Sequence, residues 1–177
     1  LQVPQYILED EIASGSGIAV NMVCTQPRRL PALALASRVS DEMATCCGSI
    51  VGYSVRLDKK MSRETRLLFC TTGILLRRLV AEPELTNVSH VIIDEVHERS
   101  LESDLLMLLL RDALERISSL RIVLMSATAD TGTFARYFER ALAGLGEGLR
   151  CAIVSIPGFT YPVRELSLED IIADTGA

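Results

Sequence analysis

Two adjacent carboxylates, Asp94 and Glu95, end an apolar run and give the sequence its strongest chemical signal. They open the stretch Asp94-Glu95-Val96-His97-Glu98-Arg99, which follows Ser89-His90 and Val91-Ile92-Ile93. A strand ending in two acids can aim one at a magnesium ion and the next at the water that attacks a phosphate. Mg²⁺ takes few carboxylates and keeps several waters. One acid on the metal and one on the nucleophilic water is the minimal set for nucleoside triphosphate hydrolysis. The same pattern also suits a solvated pair of acids at a strand end. A zinc-protease reading needs H-E-x-x-H. Here His97-Glu98 is followed by Arg99-Ser100-Leu101, so the second histidine is absent.

Ser126-Ala127-Thr128 closes another apolar run, Ile122-Val123-Leu124-Met125. Its two hydroxyls could bond the His97 or Glu95 side chain and so sense a phosphate, or they could simply cap a turn. No G-x-S-x-G surrounds Ser126, which argues against a hydrolase nucleophile. Thr25-Gln26-Pro27-Arg28-Arg29 follows a third run, with Pro27 and Pro31 fixing the entry to a helix. Paired arginines beside a helix N-terminus suit backbone phosphates, and they also suit a solvated basic loop. Thr71-Thr72-Gly73 repeats the arrangement after Cys70, with a plain helix cap as the other reading. Arg56, Arg77 and Arg78 read as surface or salt-bridge residues, and His90 as structural.

The elements that must position these residues follow from the pattern. Apolar, β-branched runs at 18–24, 50–56, 67–70, 90–94, 121–126 and 151–156 predict strands. Stretches 4–12, 31–46, 73–81, 103–117 and 133–142 predict helices. Continuous apolar strands separated by amphipathic helices imply a parallel sheet covered on both faces. In such α/β sheets function gathers at the carboxyl ends of the strands, where Asp94 and Glu95 stand. The Gly- and Ser-rich segments 13–17 and 144–148 are loops, too short to link domains.

The chain has 177 residues, 49% of them apolar, which is one domain with a real core. No apolar run reaches the roughly 18 residues of a membrane span, so no membrane partner is expected. Net charge is −5, which alone argues against nucleic acid, yet all 18 basic residues except Lys59 and Lys60 are arginine. Arginine is the side chain suited to bidentate phosphate contact. Cys24, Cys46, Cys47, Cys70 and Cys151 form no C-x-x-C pair. They read as free thiols, not zinc ligands, in a reducing compartment: cytoplasm, with nucleus or organelle matrix also allowed. The start, Leu1-Gln2-Val3-Pro4-Gln5, does not look like a signal peptide but like a cut inside a larger protein.

Taken in order, these segments resemble the DEAH/DExH-box RNA helicases of superfamily 2. The matching stretches are TQPRR at 25–29 (similar to motif Ia), TTGILLR at 71–77 (motif Ib), DEVHERS at 94–100 (motif II) and SAT at 126–128 (motif III). VGYSVR at 51–56 and SIPGFTYPV at 155–163 also look like family segments, and the likeness covers nearly the whole chain. It is greatest to the eukaryotic branch that carries DEVH or DEIH.

The resemblance implies an α/β, RecA-like P-loop NTPase fold and the first of two motor lobes. It implies ATP or another NTP with Mg²⁺ held at Asp94 and Glu95, Asp94 on the ion and Glu95 activating the water. It implies that His97, Ser126 and Thr128 couple hydrolysis to RNA, and that Arg38 stacks on the nucleotide base. Thr25, Gln26, Arg28, Arg29, Thr71, Thr72 and Gly73 fall where the family contacts the RNA backbone. Other expected partners are a second RecA-like lobe, C-terminal modules, and a ribonucleoprotein or ribosome.

The departures are as informative. The phosphate loop G-x-x-x-x-G-K-[ST] is absent, and Gln2-Val3-Pro4-Gln5 reads as the segment that follows it. Ser14-Gly15-Ser16-Gly17 is no substitute, since no lysine follows. The reading is therefore a partial ATP-binding lobe over 1–177, lacking its first strand and phosphate loop, with 164–177 beginning a connection to the second lobe. Such a piece is expected to hydrolyse little ATP alone. The rival readings are a non-enzymatic RNA- or ribosome-binding scaffold on a decayed motor, and a DNA helicase.

Overall fold

The computed structural model describes residues 2–127, 131–142, 151–158 and 161–175. Six strands form one sheet: β1 (Met22–Gln26), β2 (Val51–Val55), β3 (Asp58–Lys60), β4 (Leu67–Thr71), β5 (His90–Ile93) and β6 (Arg121–Leu124). The helices are α1 (Val3–Ala13), α2 (Arg29–Glu42), α3 (Thr72–Ala81), α4 (Leu101–Leu114), α5 (Thr131–Leu142) and α6 (Leu168–Thr175). Strand order is β3-β2-β4-β1-β5-β6. Every pairing is parallel except the β2–β3 hairpin.

β1 lies at the centre, and all five of its residues are buried. Alternate strand residues face opposite sides, so β1 contributes to two cores. Met22 and Cys24 join Leu67, Phe69 and Ile92 beneath α1 and α2, where Leu8, Ala32, Leu35, Ala36 and Val39 pack. Val23 joins Cys70, Val91 and Ile93 on the other face, under Leu75 and Leu79 of α3 and Leu106, Met107 and Leu110 of α4. Phe138 of α5 closes that layer. Helices therefore cover both faces, as the continuous apolar strands predict.

Register decides what meets at the carboxyl edge. Thr25 of β1 pairs with Ile93 of β5, and Gln26 pairs with Thr71 of β4. The first residue beyond β5, Asp94, therefore comes level with Gln26. Local signals then start the next helices. Arg28 is extended at the N-cap of α2. Ser100 caps α4 by accepting from the Ser103 N–H at 3.1 Å. Glu102 and Asp104 in the first turn of α4 and Arg111 in the last complement its dipole.

Four expectations are corrected. Residues 18–21 are not strand; Ile18 is 90% exposed, and pairing begins at Met22. α2 ends at Glu42 rather than at 46, because Ala44 turns left-handed (φ 52°). β3 was not foreseen, since its three residues are charged and exposed, as suits a short sheet edge. Residues 151–156 form no strand, and Ile153, Val154 and Ile156 are exposed. Apolar composition favours a strand only where a ladder exists, and among the described residues no strand flanks the outer edge of β6.

Candidate active site

Asp94 leaves β5 held on three sides. Its N–H donates to Thr25 O at 3.2 Å. Its Oδ2 accepts from Gln26 Nε2 at 2.7 Å, and its Oδ1 accepts from the Glu95 N–H at 2.9 Å. Gln26 is 2% exposed, so its amide is a fixed donor. Both carboxylate oxygens are thus oriented, and each keeps a lone pair for a further ligand.

Glu95 occupies the left-handed region, φ 54° and ψ 39°, which costs a non-glycine residue about 1 kcal/mol or more. The next residue offsets that strain. Val96 is buried, and its N–H donates to Met125 O, just past β6, at 3.1 Å. A 3₁₀ turn over Val96–Glu98 follows and ends at Arg99, also left-handed at φ 50°. Arg99 is fixed in turn by two bonds to the Asp104 carboxylate, 2.9 and 3.0 Å. The turn keeps the Glu95 and His97 side chains partly exposed while their backbone is pinned.

His97 Nδ1 lies 3.4 Å from Glu95 Oε2 and 3.4 Å from the backbone nitrogen of Ala127. One ring nitrogen cannot serve both at once. As an acceptor it takes the Ala127 N–H, and as a donor it takes the Glu95 carboxylate. The sequence pointed to the hydroxyls of Ser126 and Thr128 as the link to His97. The backbone N–H of Ala127, between those two residues, lies within reach of His97 Nδ1. Thr128 lies outside the described residues.

The residues expected at RNA divide. Arg28 and Arg29 are exposed, and Thr71 and Gly73 are half-buried at the N-terminus of α3. Thr25, Gln26 and Thr72 are buried. Gln26 serves Asp94, the Thr72 hydroxyl reaches Gln26 O at 3.5 Å, and the Thr25 hydroxyl has no partner. These three side chains lie within the strand ends and helix start that carry the exposed Arg28 and Arg29. Arg38 is exposed on α2, paired with Glu42 at 2.8 Å. It lines a cleft of about 260 Å³ between α1 and α2, with Gln2, Gln5 and Leu35.

Two contacts escaped the sequence reading. Arg28 Nη2 lies 3.3 Å from Glu98 Oε1. A Cβ on Gly73 would lie 3.0 Å from Glu102 Oε2, so a second carboxylate sits against the first turn of α3. Both glutamates were visible near the Asp94-Glu95 pair, but nothing in one dimension says which arginine or helix start they would meet.

The donor set fits Mg²⁺. Among the described residues no group of three or more His, Cys, Asp or Glu converges on a point. Mg²⁺ asks for one or two carboxylates and fills its octahedron with water and phosphate. A triphosphate cradle does not fit in the same way, since the 177 residues hold no G-x-x-x-x-G-K-[ST]. The nearby thiols take no part. Burial, with the Asp94 charge adding to it, pushes the Cys24 thiol well up, and burial pushes Cys70 up to about 12. Both stay protonated at neutral pH.

Known proteins match this chain closely. The DEAD/DEAH box helicase family matches residues 18–136. The DExH-box ATP-dependent RNA helicase DExH1 of Arabidopsis thaliana is 50% identical over 97% of the chain. Human DHX29, an ATP-dependent RNA helicase, is 45% identical over 99% of it, and human DHX57, a putative one, is 45% identical over 98%. The chain spans 16% of the first of these relatives and 12% of each of the other two. Among the described residues no helix is long and apolar enough to cross a membrane. With its RecA-like sheet and its motifs gathered at one edge, the chain belongs to the DEAD/DEAH box helicase family.

Proposed function

We propose that the chain is the hydrolysis-bearing part of the first motor lobe of an ATP-dependent RNA helicase. One observation carries this reading: the two carboxylates are wired to both neighbouring strand ends. Asp94 is bonded to Gln26 of β1, and Glu95 to His97, which also reaches the backbone at Ala127 beyond β6. A non-enzymatic scaffold has no use for such wiring.

In the proposed mechanism, Gln26 and the Glu95 N–H hold the Asp94 carboxylate in one orientation toward the metal site. Mg²⁺, when bound, supplies charge neutralisation on the nucleotide phosphates. Glu95, partly exposed beside Asp94, would accept a proton from the attacking water. His97 exchanges between Glu95 and the Ala127 N–H, so a movement after β6 changes the setting of Glu95. Arg38, on its cleft, offers a planar guanidinium to a nucleotide base. Arg28, Arg29 and the N-terminus of α3 face RNA phosphates, a contact with little sequence preference.

Glu95→Gln tests the reading. In the full-length protein it removes the base and keeps the shape, so RNA-stimulated ATP turnover is expected to vanish while nucleotide and RNA binding stay. Turnover that survives the change rejects the role of Glu95. The 177 residues alone are expected to turn over little or no ATP, because the backbone cradle and lysine that anchor a triphosphate are absent from them.

A further inference from the structure

Arg28 and Glu98 are 70 positions apart, and one belongs to the loop after β1 while the other closes the turn that carries Glu95 and His97. Their contact at 3.3 Å is the surface counterpart of the buried Gln26–Asp94 bond, so the two segments are tied twice. The two ties differ in kind. The buried one is short and fixed. The outer one joins side chains that are 74% and 36% exposed, and such a pair is weak and exchangeable in water. Glu102 repeats the theme, since its carboxylate rests against the first turn of α3. Each of the two features that face RNA phosphates in the proposed function thus already has a glutamate carboxylate beside it. Both glutamates come from the short segment that follows the catalytic pair.

We propose that Glu98 is a positioning residue that competes with an RNA phosphate for Arg28 and thereby reports RNA occupancy to the hydrolytic turn. Without RNA, Glu98 holds Arg28, and the turn stays in the setting seen here, with His97 shared between Glu95 and Ala127. A phosphate at Arg28 displaces the carboxylate. The released Glu98 removes one side-chain tether from a turn whose backbone stays pinned at Val96 and Arg99, and the partly exposed His97 and Glu95 side chains are the groups that respond. The weakness of the pair is what permits the exchange, because a strong buried pair would block RNA. This proposal rests on the reading of Arg28 as a phosphate contact.

The test uses the full-length protein and a single-stranded RNA of mixed sequence at fixed salt. Glu98→Gln keeps size and removes charge. It is expected to tighten RNA binding about two- to five-fold, the scale of an exposed pair, and to raise ATP turnover without RNA so that stimulation by RNA falls. Glu98→Ala should do the same, which guards against an effect of the new amide. In an Arg28→Ala background the gain in affinity should disappear. Affinity that is unchanged or weaker in Glu98→Gln, or a gain that survives without Arg28, overturns the proposal. If Arg28→Ala itself leaves RNA affinity untouched, the phosphate contact is rejected along with it. If Arg28→Ala weakens binding while Glu98→Gln does nothing, the exchange alone is rejected.

Discussion

The Gln26 amide reaches the Asp94 carboxylate across 68 positions at 2.7 Å and has almost no access to water. A hydrogen bond to a charged group contributes about 1.5–3 kcal/mol, and here its loss would also leave a carboxylate poorly solvated. Gln26→Ala is therefore expected to lower stability by about that amount, read from urea unfolding. Gln26→Glu should cost more, because it sets a second negative charge against the first. If both variants unfold at the wild-type midpoint, Gln26 does not hold Asp94. At this scale the sequence showed the residue types well. Asp94, Glu95 and His97 were legible from their place after an apolar run. The bond from Gln26 to Asp94 was not, since it joins residues 68 positions apart that only strand register brings level.

The elements carry a second kind of constraint. Gly52 lies within β2, where a Cβ would sit 2.5 Å from the Lys60 carbonyl oxygen of β3 and 3.3 Å from Met61 Cα. The obstacle is backbone, so the hairpin must move to admit a methyl group. Gly52→Ala is expected to cost about 1–3 kcal/mol, with faster amide exchange across β2 and β3 than in the wild type. Unchanged exchange in that hairpin would show that the edge yields freely. The pairing partner was hidden from the sequence, because Asp58-Lys59-Lys60 has the composition of a loop. The central strands were legible because burial on both faces forces unbroken apolar runs such as Leu67-Leu68-Phe69. Residues 151–156 carry the same composition without a ladder, and there the pattern misled.

For the whole molecule, the end of the sheet opposite Asp94 and Glu95 holds a titrating group. His90, 3% exposed at the start of β5, faces Glu11 of α1 at 3.8 Å and the Ser89 hydroxyl at 3.0 Å. Arg121 of β6 shares the same Glu11 at 3.7 Å. Burial first, and then the Arg121 charge, lowers the His90 pKa, while Glu11 acts the other way. The folded protein therefore binds the imidazole proton less readily than the unfolded chain. The stabilisation is complete above the ordinary histidine value of about 6.5 and is lost as pH falls towards the lowered folded value. Unfolding midpoints are expected to drop between about pH 7.5 and 5.5, and His90→Gln should flatten that slope. An equal slope in the variant would assign the pH dependence to other groups.

Residue identity and periodicity by themselves determined the chemistry available, the layered α/β class and the edge where the chemistry gathers. These are short-range properties: an apolar run must be buried, and the polar residues that end it must emerge at its tip. The tertiary structure alone decided which of those polar residues meet. Parallel register sets Gln26 beside Asp94, the left-handed Glu95 turns His97 towards Ala127, and Arg28 finds Glu98. None of these pairs is a neighbour in sequence. Their meeting depends on strand order and register, which are fixed by packing of both cores at once and are written in no single segment.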